Sequence, residues 1–298
     1  MYHNPVLLIE SIEGLSIKPN GTYVDVTFGG GGHSREIMKH LDESGKLYAF
    51  DQDDDALANA IDDERFILIN NNFKFLKNFL KLYAATPVDG ILADLGISSH
   101  QIDIPERGFS TRHKGELDLR MNRNQGKSAK DVINNYSEEE LKMVFQEYGE
   151  IPNSWKLART IVEYRKTQEI TDTEQFIDAI KTCIPKKIEN KYLAMLFQAV
   201  RIEVNEELEV LKELLIQSTE CLKPGGRLVV ISYHSLEDRL VKNYMKSGNF
   251  KGEVEKDFYG NTFPPYTLIS RKPICPGEEE LLRNNRSRSA KLRIAEKI

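Results

Sequence analysis

The chain has 298 residues, 40% hydrophobic and 29% charged, with a net charge of −5, the profile of a globular protein that forms one large domain or two modest ones. No apolar run approaches the ~18 residues that a membrane span needs. The first residues, MYHNPVLLIESIEG, lack the basic start and long apolar core of a signal peptide. Three widely spaced cysteines, Cys183, Cys221 and Cys275, offer no metal-ligand spacing and are expected to be reduced, cytoplasmic thiols.

The charge is uneven. Residues 1–104 hold 8 basic against 16 acidic side chains, residues 105–201 hold 17 against 15, and residues 202–298 hold 16 against 15. A polyanionic partner is therefore expected to meet the middle and the C-terminal part.

From residue 23 to residue 98 strand and helix patterns alternate. Strands are expected over residues 23–28, 46–50, 65–69 and 88–95, with helices over 34–41, 54–61 and 73–83 between them. That alternation implies right-handed βαβ units, a parallel sheet and an α/β fold. The first strand runs straight into four glycines, Gly29 to Gly32, which let the backbone turn sharply and let a ligand lie against the main chain. The second strand ends at Asp51, about 20 residues on, where a carboxylate is placed to accept hydrogen bonds from a ribose. This third of the chain therefore reads as a site for a nucleoside-containing cofactor. The dinucleotide fingerprint fails, because the sixth position counted from Gly29 is Ser34. Asp25, Asp51, Asp53, Asp54 and Asp55 make the surroundings acidic. Such a site repels a pyrophosphate and tolerates a sulfonium cation, which favours S-adenosyl-L-methionine over a nicotinamide dinucleotide.

The alternation stops after Ser99. A polar, Arg-rich stretch covers residues 101–126, and helices without strands follow over 128–134, 137–148, 154–165 and 173–182. Ser137 and Glu140 form a capping box, and Thr171 or Thr173 is expected to cap the last of these helices. One long amphipathic helix is expected over 192–221, stopped by Lys223-Pro224-Gly225-Gly226. A strand over 227–232, a helix over 236–245 and strands over 266–270 and 290–295 complete the chain. The α/β domain, residues 1–104 and 198–298, is thus interrupted by an all-helical insert over residues 105–197, expected to recognise substrate.

The fourth strand ends in ADLGISSHQ. The carboxyl ends of parallel strands form the ligand crevice of an open sheet, so Asp94 faces the place where cofactor and substrate meet. Gly96 allows a turn there, and Ser98, Ser99 and Gln101 add short polar groups.

The segments VDVTFGGGGHS, FDQDDDAL, GILADLGISSHQID, PERGFS, FQAVRIEVNEELEVL, LKPGGRLVVISYHSLEDRLVK and RSRSAKLRIAE occur in that order over essentially the whole chain. Together they resemble the bacterial family that methylates the exocyclic N4 amine of a cytosine in small-subunit ribosomal RNA. The resemblance implies a Rossmann-like S-adenosyl-L-methionine-dependent methyltransferase domain carrying an inserted helical domain. It implies that Gly31, Gly32 and His33 wrap the methionine end of the cofactor, that Asp51 holds the ribose, that Phe73 packs beside the adenine, and that Asp94 and Gln101 close the site. It implies 16S ribosomal RNA in the small ribosomal subunit as partner, with a target in the decoding region, involves neither membrane nor DNA, and admits a homodimer. The chain departs from the family pattern at Met195, where an Arg is common, and around Glu116.

A cytosine N4 lone pair is delocalised into the ring, so transfer needs alignment and an acceptor for the amine protons. Asp94, or a backbone carbonyl between Leu95 and Ser98, is the expected acceptor. His234 is expected to hydrogen-bond the base and Tyr233 to stack on it, or both to shape the crevice wall. Arg201 and Asn205, one helical turn apart, suit either substrate positioning or an internal network. Arg107, Phe109, Arg112, Arg120 and Arg123 mix cations with an aromatic, as phosphate contact and base stacking require. Methylation at ring carbon 5 would need a cysteine nucleophile, and Cys275 sits in no catalytic context. No metal is expected. A nicotinamide oxidoreductase, a non-catalytic RNA-binding module and a small-molecule N-methyltransferase are the competing readings.

Overall fold

The computed structural model describes residues 5–254 and 256–298, and the chain divides into two compact units. The first comprises the residues up to Gly96 together with Glu209–Ile298; the second is Ile97–Leu208. The insert thus begins at residue 97 and ends at residue 208, where the sequence pattern suggested 105 and 197.

The first unit is built on β1 (Thr22–Asp25), β2 (Lys46–Asp51), β3 (Phe66–Asn70), β4 (Val88–Asp94), β5 (Leu222–Ser232), β6 (Tyr266–Leu268) and β7 (Lys291–Lys297). They form one sheet in the order β3-β2-β1-β4-β5-β7-β6. The first five are mutually parallel, and β7 runs antiparallel between β5 and β6. Their near-continuous apolar runs follow from burial on both faces. The two-residue period sorts neighbours onto opposite sides. Val24, Tyr48, Ile91 and Val230 pack on one face with Leu214 and Met245, while Tyr23, Leu47, Leu92 and Val229 pack on the other with Leu15 and Ile37.

The helix Leu8–Leu15, absent from the sequence reading, covers the second face beside β7. Gly14 permits its close approach: a Cβ there would lie 2.7 Å from Ile294 Cδ1. The expected helix after β2 is a 3-10 turn, Asp54–Asn59, capped by Asp53. Lys223-Pro224-Gly225-Gly226 belongs to β5 rather than preceding it; the segment is taken up as an irregularity, with the pairing to β4 shifting register between Val88 and Gly90.

In the second unit, helices Ser99–Asp103, Ala129–Asn135, Glu138–Glu147, Ser154–Arg165, Thr173–Ile180 and Glu189–Asn205 surround a core that includes Leu141, Phe145, Leu157, Phe176, Leu196 and Phe197. Capping boxes start three of them, at Ser98, Ser128 and Ser137. Asp172, between the two threonines expected to do so, caps Thr173–Ile180. The long helix expected over 192–221 is two helices, Glu189–Asn205 and Glu207–Cys221, because Glu206 takes φ 51, a left-handed conformation that ends the first. No residue type there signals the break.

Replacing Gly14 with Val would force the helix off β7 and should cost about 1–3 kcal/mol, read as a lower urea midpoint with little change in slope.

Candidate active site

Three parallel strands end in carboxylates: β1 in Asp25, β2 in Asp51 and β4 in Asp94. All three lie on the carboxyl edge, where the strand-to-helix connections leave room for a ligand. Asp51 is tied to the glycine loop. Its Oδ2 accepts the Gly29 N–H at 2.7 Å and its Oδ1 accepts the Asp53 N–H at 2.9 Å. Gly29 and Gly31 take φ 51 and 73, and the space where a Gly29 Cβ would stand is open. Asn59 Nδ2 donates to the Gly29 carbonyl at 3.0 Å from the other side. A carboxylate has about four lone-pair sites, so Asp51 holds the loop and keeps acceptor capacity for a diol.

Asp94 is gripped from three directions. Tyr233 donates its hydroxyl to Oδ1 at 2.7 Å. His33 Nδ1 stands 3.8 Å from Oδ2. The Asp94 N–H donates to Thr27 Oγ1 at 2.7 Å. Gly96, at φ 101, lies so close to Tyr233 that a Cβ would be 3.3 Å from its ring. His33 is buried, and its Nε2 sits 3.1 Å from the Val6 carbonyl oxygen. A carbonyl only accepts, so Nε2 is a donor to Val6 and Nδ1 is the nitrogen turned to Asp94. Behind them Asp25 is fully buried, accepting from Ser34 Oγ at 2.6 Å and from the Thr27 N–H at 3.1 Å. Asp25 entered the sequence reading only as part of an acidic neighbourhood. Thr27 and Ser34, whose hydroxyls carry this network, were not singled out; a Thr and a Ser flanking the glycine run were the available signal.

Burial pushes the Asp94 carboxyl up to about 6, against the opposing pull of His33 and the Tyr233 hydrogen bond, and Asp25 and Glu237 nearby add to the rise. Burial likewise pushes Asp51 up to about 6, partly offset by its two backbone hydrogen bonds. Burial also raises Asp25, and burial together with the Asp94 carboxylate raises the Tyr233 hydroxyl. The edge is therefore a dense set of acidic groups that are costly to ionise together unless a cation joins them. The Asp94 side chain still keeps 23% of its surface open.

Other expected residues have other surroundings. Phe73 lies in a single 3-10 turn capped by Asn72, packed against the core that holds Tyr48 and Phe50. His234 is the N-cap of Ser235–Ser247. Its Nε2 lies 3.2 Å from Glu237 Oε1, while Glu237 Oε2 accepts the Tyr233 N–H at 2.8 Å. The His234 ring is held at the helix start through Nδ1, which accepts the Glu237 N–H at 3.5 Å, while its buried Nε2 makes no hydrogen bond among the described residues. In the insert, the Ser98 and Gln101 side chains complete each other's capping box, which is what their spacing encodes locally.

The Arg-rich stretch needs correction. Arg107 is only 3% exposed and donates to the carbonyls of Arg120 and Met121, and Phe109 is 7% exposed in the insert core. A segment with little regular structure leaves carbonyls that must find donors, and an Arg fork supplies them. Neither side chain is therefore presented to a phosphate or a base. Arg120 is paired in two places with Asp118, at 2.7 and 3.0 Å. Arg201 makes a two-point pair with Glu207, at 2.7 and 2.8 Å. Asn205 clasps the stretch, accepting the Met121 N–H at 2.8 Å and donating to the Leu119 carbonyl at 2.8 Å. These contacts are the internal network that the helical spacing of Arg201 and Asn205 allowed. Arg112, Lys114 and Arg123 are the cations of this stretch that are exposed. Met195, where the resembled family often has an Arg, packs against the insert core.

A family model described as the MraW methylase family matches residues 1–298. The chain is 60% identical over 297 residues to "Ribosomal RNA small subunit methyltransferase H" of Flavobacterium johnsoniae, covering 100% of this chain and 98% of the relative. It is 59% identical over 297 residues to the protein of that name from Christiangramia forsetii, with the same coverage. A third relative so named, from Cytophaga hutchinsonii, is 57% identical over 299 residues and covered in full on both sides. With a methyltransferase relative aligned to nearly every residue around a Rossmann-like sheet, the chain belongs to the MraW methylase family, and S-adenosyl-L-methionine is its methyl donor.

Proposed function

We propose that this protein methylates the exocyclic N4 amine of a cytidine in the decoding region of 16S ribosomal RNA, acting on the assembled small subunit. The naming of its relatives as small-subunit ribosomal RNA methyltransferases supports the substrate class. The observation that carries the chemistry is Asp94: a strand-end carboxylate with one oxygen held by Tyr233 and the other beside His33.

The residues present fit the donor. The open space at Gly29 suits the methionine end, Asp51 has acceptor capacity for the ribose, and the acidic edge suits a cation. Phe73 is the neighbour proposed for the adenine. When bound, the donor supplies an electrophilic methyl group on a sulfonium. Asp94 then accepts a hydrogen bond from the target amine and turns the nitrogen lone pair toward that methyl. The donor would thereby supply its methyl group to the nitrogen, the new N–C bond being matched by loss of the C–S bond with its electron pair left on sulfur. The positively charged nitrogen then loses a proton to water, so no strong base is needed. Tyr233 and His33 flank the Asp94 carboxylate, and Thr27 fixes the Asp94 backbone through its N–H. The insert is proposed to recognise the RNA surface around a cytidine drawn out of its stack.

Incubation with methyl-labelled donor and unmodified small subunits, followed by nucleoside separation, should place the label in N4-methylcytidine; label in 5-methylcytidine, or none in RNA, would count against this reading. Asp94→Asn should lower turnover about 100-fold while the protein still binds the donor. Asp51→Ala should weaken donor binding about tenfold or more, as loss of a hydrogen-bonded charged group does, measured by calorimetry.

The pH dependence has a definite sign. Asp51 and Asp94 sit near 6 when folded, above the usual carboxylate value. The folded ligand-free protein therefore binds more protons than the unfolded chain, and these groups favour folding below about pH 4 and lose that contribution as pH rises through 6. Asp94→Asn should make the ligand-free protein more stable than the parent at pH 7.5, with the gap shrinking by pH 5 in urea titrations. Activity should fall on the acid side of about pH 6, where the same carboxyl groups are neutral.

A further inference from the structure

Most large apolar side chains of this protein are inside, but three aromatics of one short segment are not. Phe258 is 97% exposed, Tyr259 86% and Phe263 77%. Phe258 and Tyr259 belong to a hairpin closed by the bridge between Lys256 and Thr262, and Phe263 directly follows it. The hairpin is internally braced. The Asp257 N–H donates to the Asn261 carbonyl at 3.0 Å, and the Gly260 N–H to the Asp257 carbonyl at 3.0 Å. The Asp257 carboxylate accepts the N–H groups of Tyr259 and Asn261 at 2.9 and 2.8 Å and the Asn261 side-chain amide at 2.9 Å. Its negative charge is thus taken up inside the turn. Gly260 provides the left-handed φ of 84 that the tip requires. Phe258 and Tyr259 stand edge to face, ring centres 5.6 Å apart, with their outer faces in solvent.

The hairpin is also anchored. Phe250 stacks on Tyr244 of the helix Ser235–Ser247 with ring centres 5.0 Å apart, and Tyr266, just beyond the hairpin, is buried in β6. A fold gains nothing from holding aromatic rings in water, and a braced tip lowers the entropy lost when something binds them.

The surrounding chemistry selects the ligand. The segment Lys256–Phe263 contains no aliphatic residue. Lys246, Lys251 and Lys256 are exposed beside the rings, with Glu253 exposed between two of them, so the segment offers cations without being basic as a whole. Exposed aromatic faces with no aliphatic residue among them are what unpaired bases stack on, and lysines beside them are able to meet the phosphates on either side. The position is remote from the reaction. β6 runs parallel to β4 and β5, so the chain entering it lies at the opposite edge of the sheet from Asp94. The 13-residue helix leading there from the rim is about 20 Å long.

We propose that the Lys256–Thr262 hairpin, with Phe263 and the flanking lysines, is a second RNA-binding site that stacks unpaired bases of the substrate well away from the target cytidine. This rests on the ribosomal RNA reading above and extends it: one large RNA is held at two places on the methyltransferase unit.

The test is the full-length Phe258→Ala/Tyr259→Ala variant. Both side chains are exposed, and donor binding equal to the parent's verifies the fold. Steady-state methylation of small subunits should show KM raised about tenfold with kcat unchanged, because the site binds substrate and transition state alike. Anisotropy with a fluorescein-labelled 12-nucleotide oligouridine should show a loss of affinity of similar size. Ultraviolet irradiation of the parent with subunits should yield nucleotide adducts on the peptide bearing Phe258 and Tyr259. Unchanged KM, unchanged oligouridine affinity, or hairpin cross-links to a ribosomal protein and not to RNA would overturn the proposal. Failure of the parent itself to methylate subunits would instead defeat the ribosomal RNA reading, and the oligouridine comparison would still decide whether the hairpin binds RNA.

Discussion

Three carboxylates, Asp25, Asp51 and Asp94, are carried by parallel strands to one edge of one sheet, two of them only partly open to water and the third fully enclosed. Burying charge is costly unless hydrogen bonds or opposite charges meet it. Much of the local structure follows from meeting that demand. Asp25 is met by Ser34 and Thr27, Asp51 by the N–H groups of Gly29 and Asp53, and Asp94 by Tyr233 and His33. The glycine loop is held at Gly29 by the same hydrogen bond that partly satisfies Asp51. What stays unsatisfied is positive charge, and a sulfonium donor brings it.

The pairwise contacts around Asp94 also link its geometry to the far end of the chain. Glu237 fixes the Tyr233 backbone and the His234 ring at the start of the helix after β5. The next residue, Asp238, is held by Arg293 at 2.6 Å and Lys291 at 3.4 Å from β7. The antiparallel insertion of β7 beside β5 thereby sets where Tyr233 begins its reach to Asp94. Arg293 is itself buried and contributes to the inner architecture.

The insert uses its charge differently. Arg107, Arg120 and Arg201 are turned to carbonyls or carboxylates of their own unit. A composition that suggests an RNA-facing loop is, residue by residue, mostly the bracing of an irregular segment. On the methyltransferase unit the reverse holds for the hairpin after helix Ser235–Ser247. Its aromatics look like core in a linear pattern and are exposed in the fold.

The alternation of apolar runs with helical periods was enough to read β1 through β5, the interrupting helical segment and the carboxyl-edge positions of Asp51 and Asp94, because burial on two sheet faces leaves a local signature. The motif segments were enough to identify the family. Other features depend on contacts far apart in sequence. The Tyr233 hydroxyl reaches Asp94 across 139 residues. The helix Leu8–Leu15 depends on the face of the sheet it covers, Glu206 breaks a helix that its neighbours' pattern would continue, and Arg107 is buried because unpaired carbonyls of residues 120 and 121 needed donors. A residue type states which bonds a side chain is able to make. Which of them it makes is decided when tertiary packing brings in the partner and removes the water that would otherwise have served.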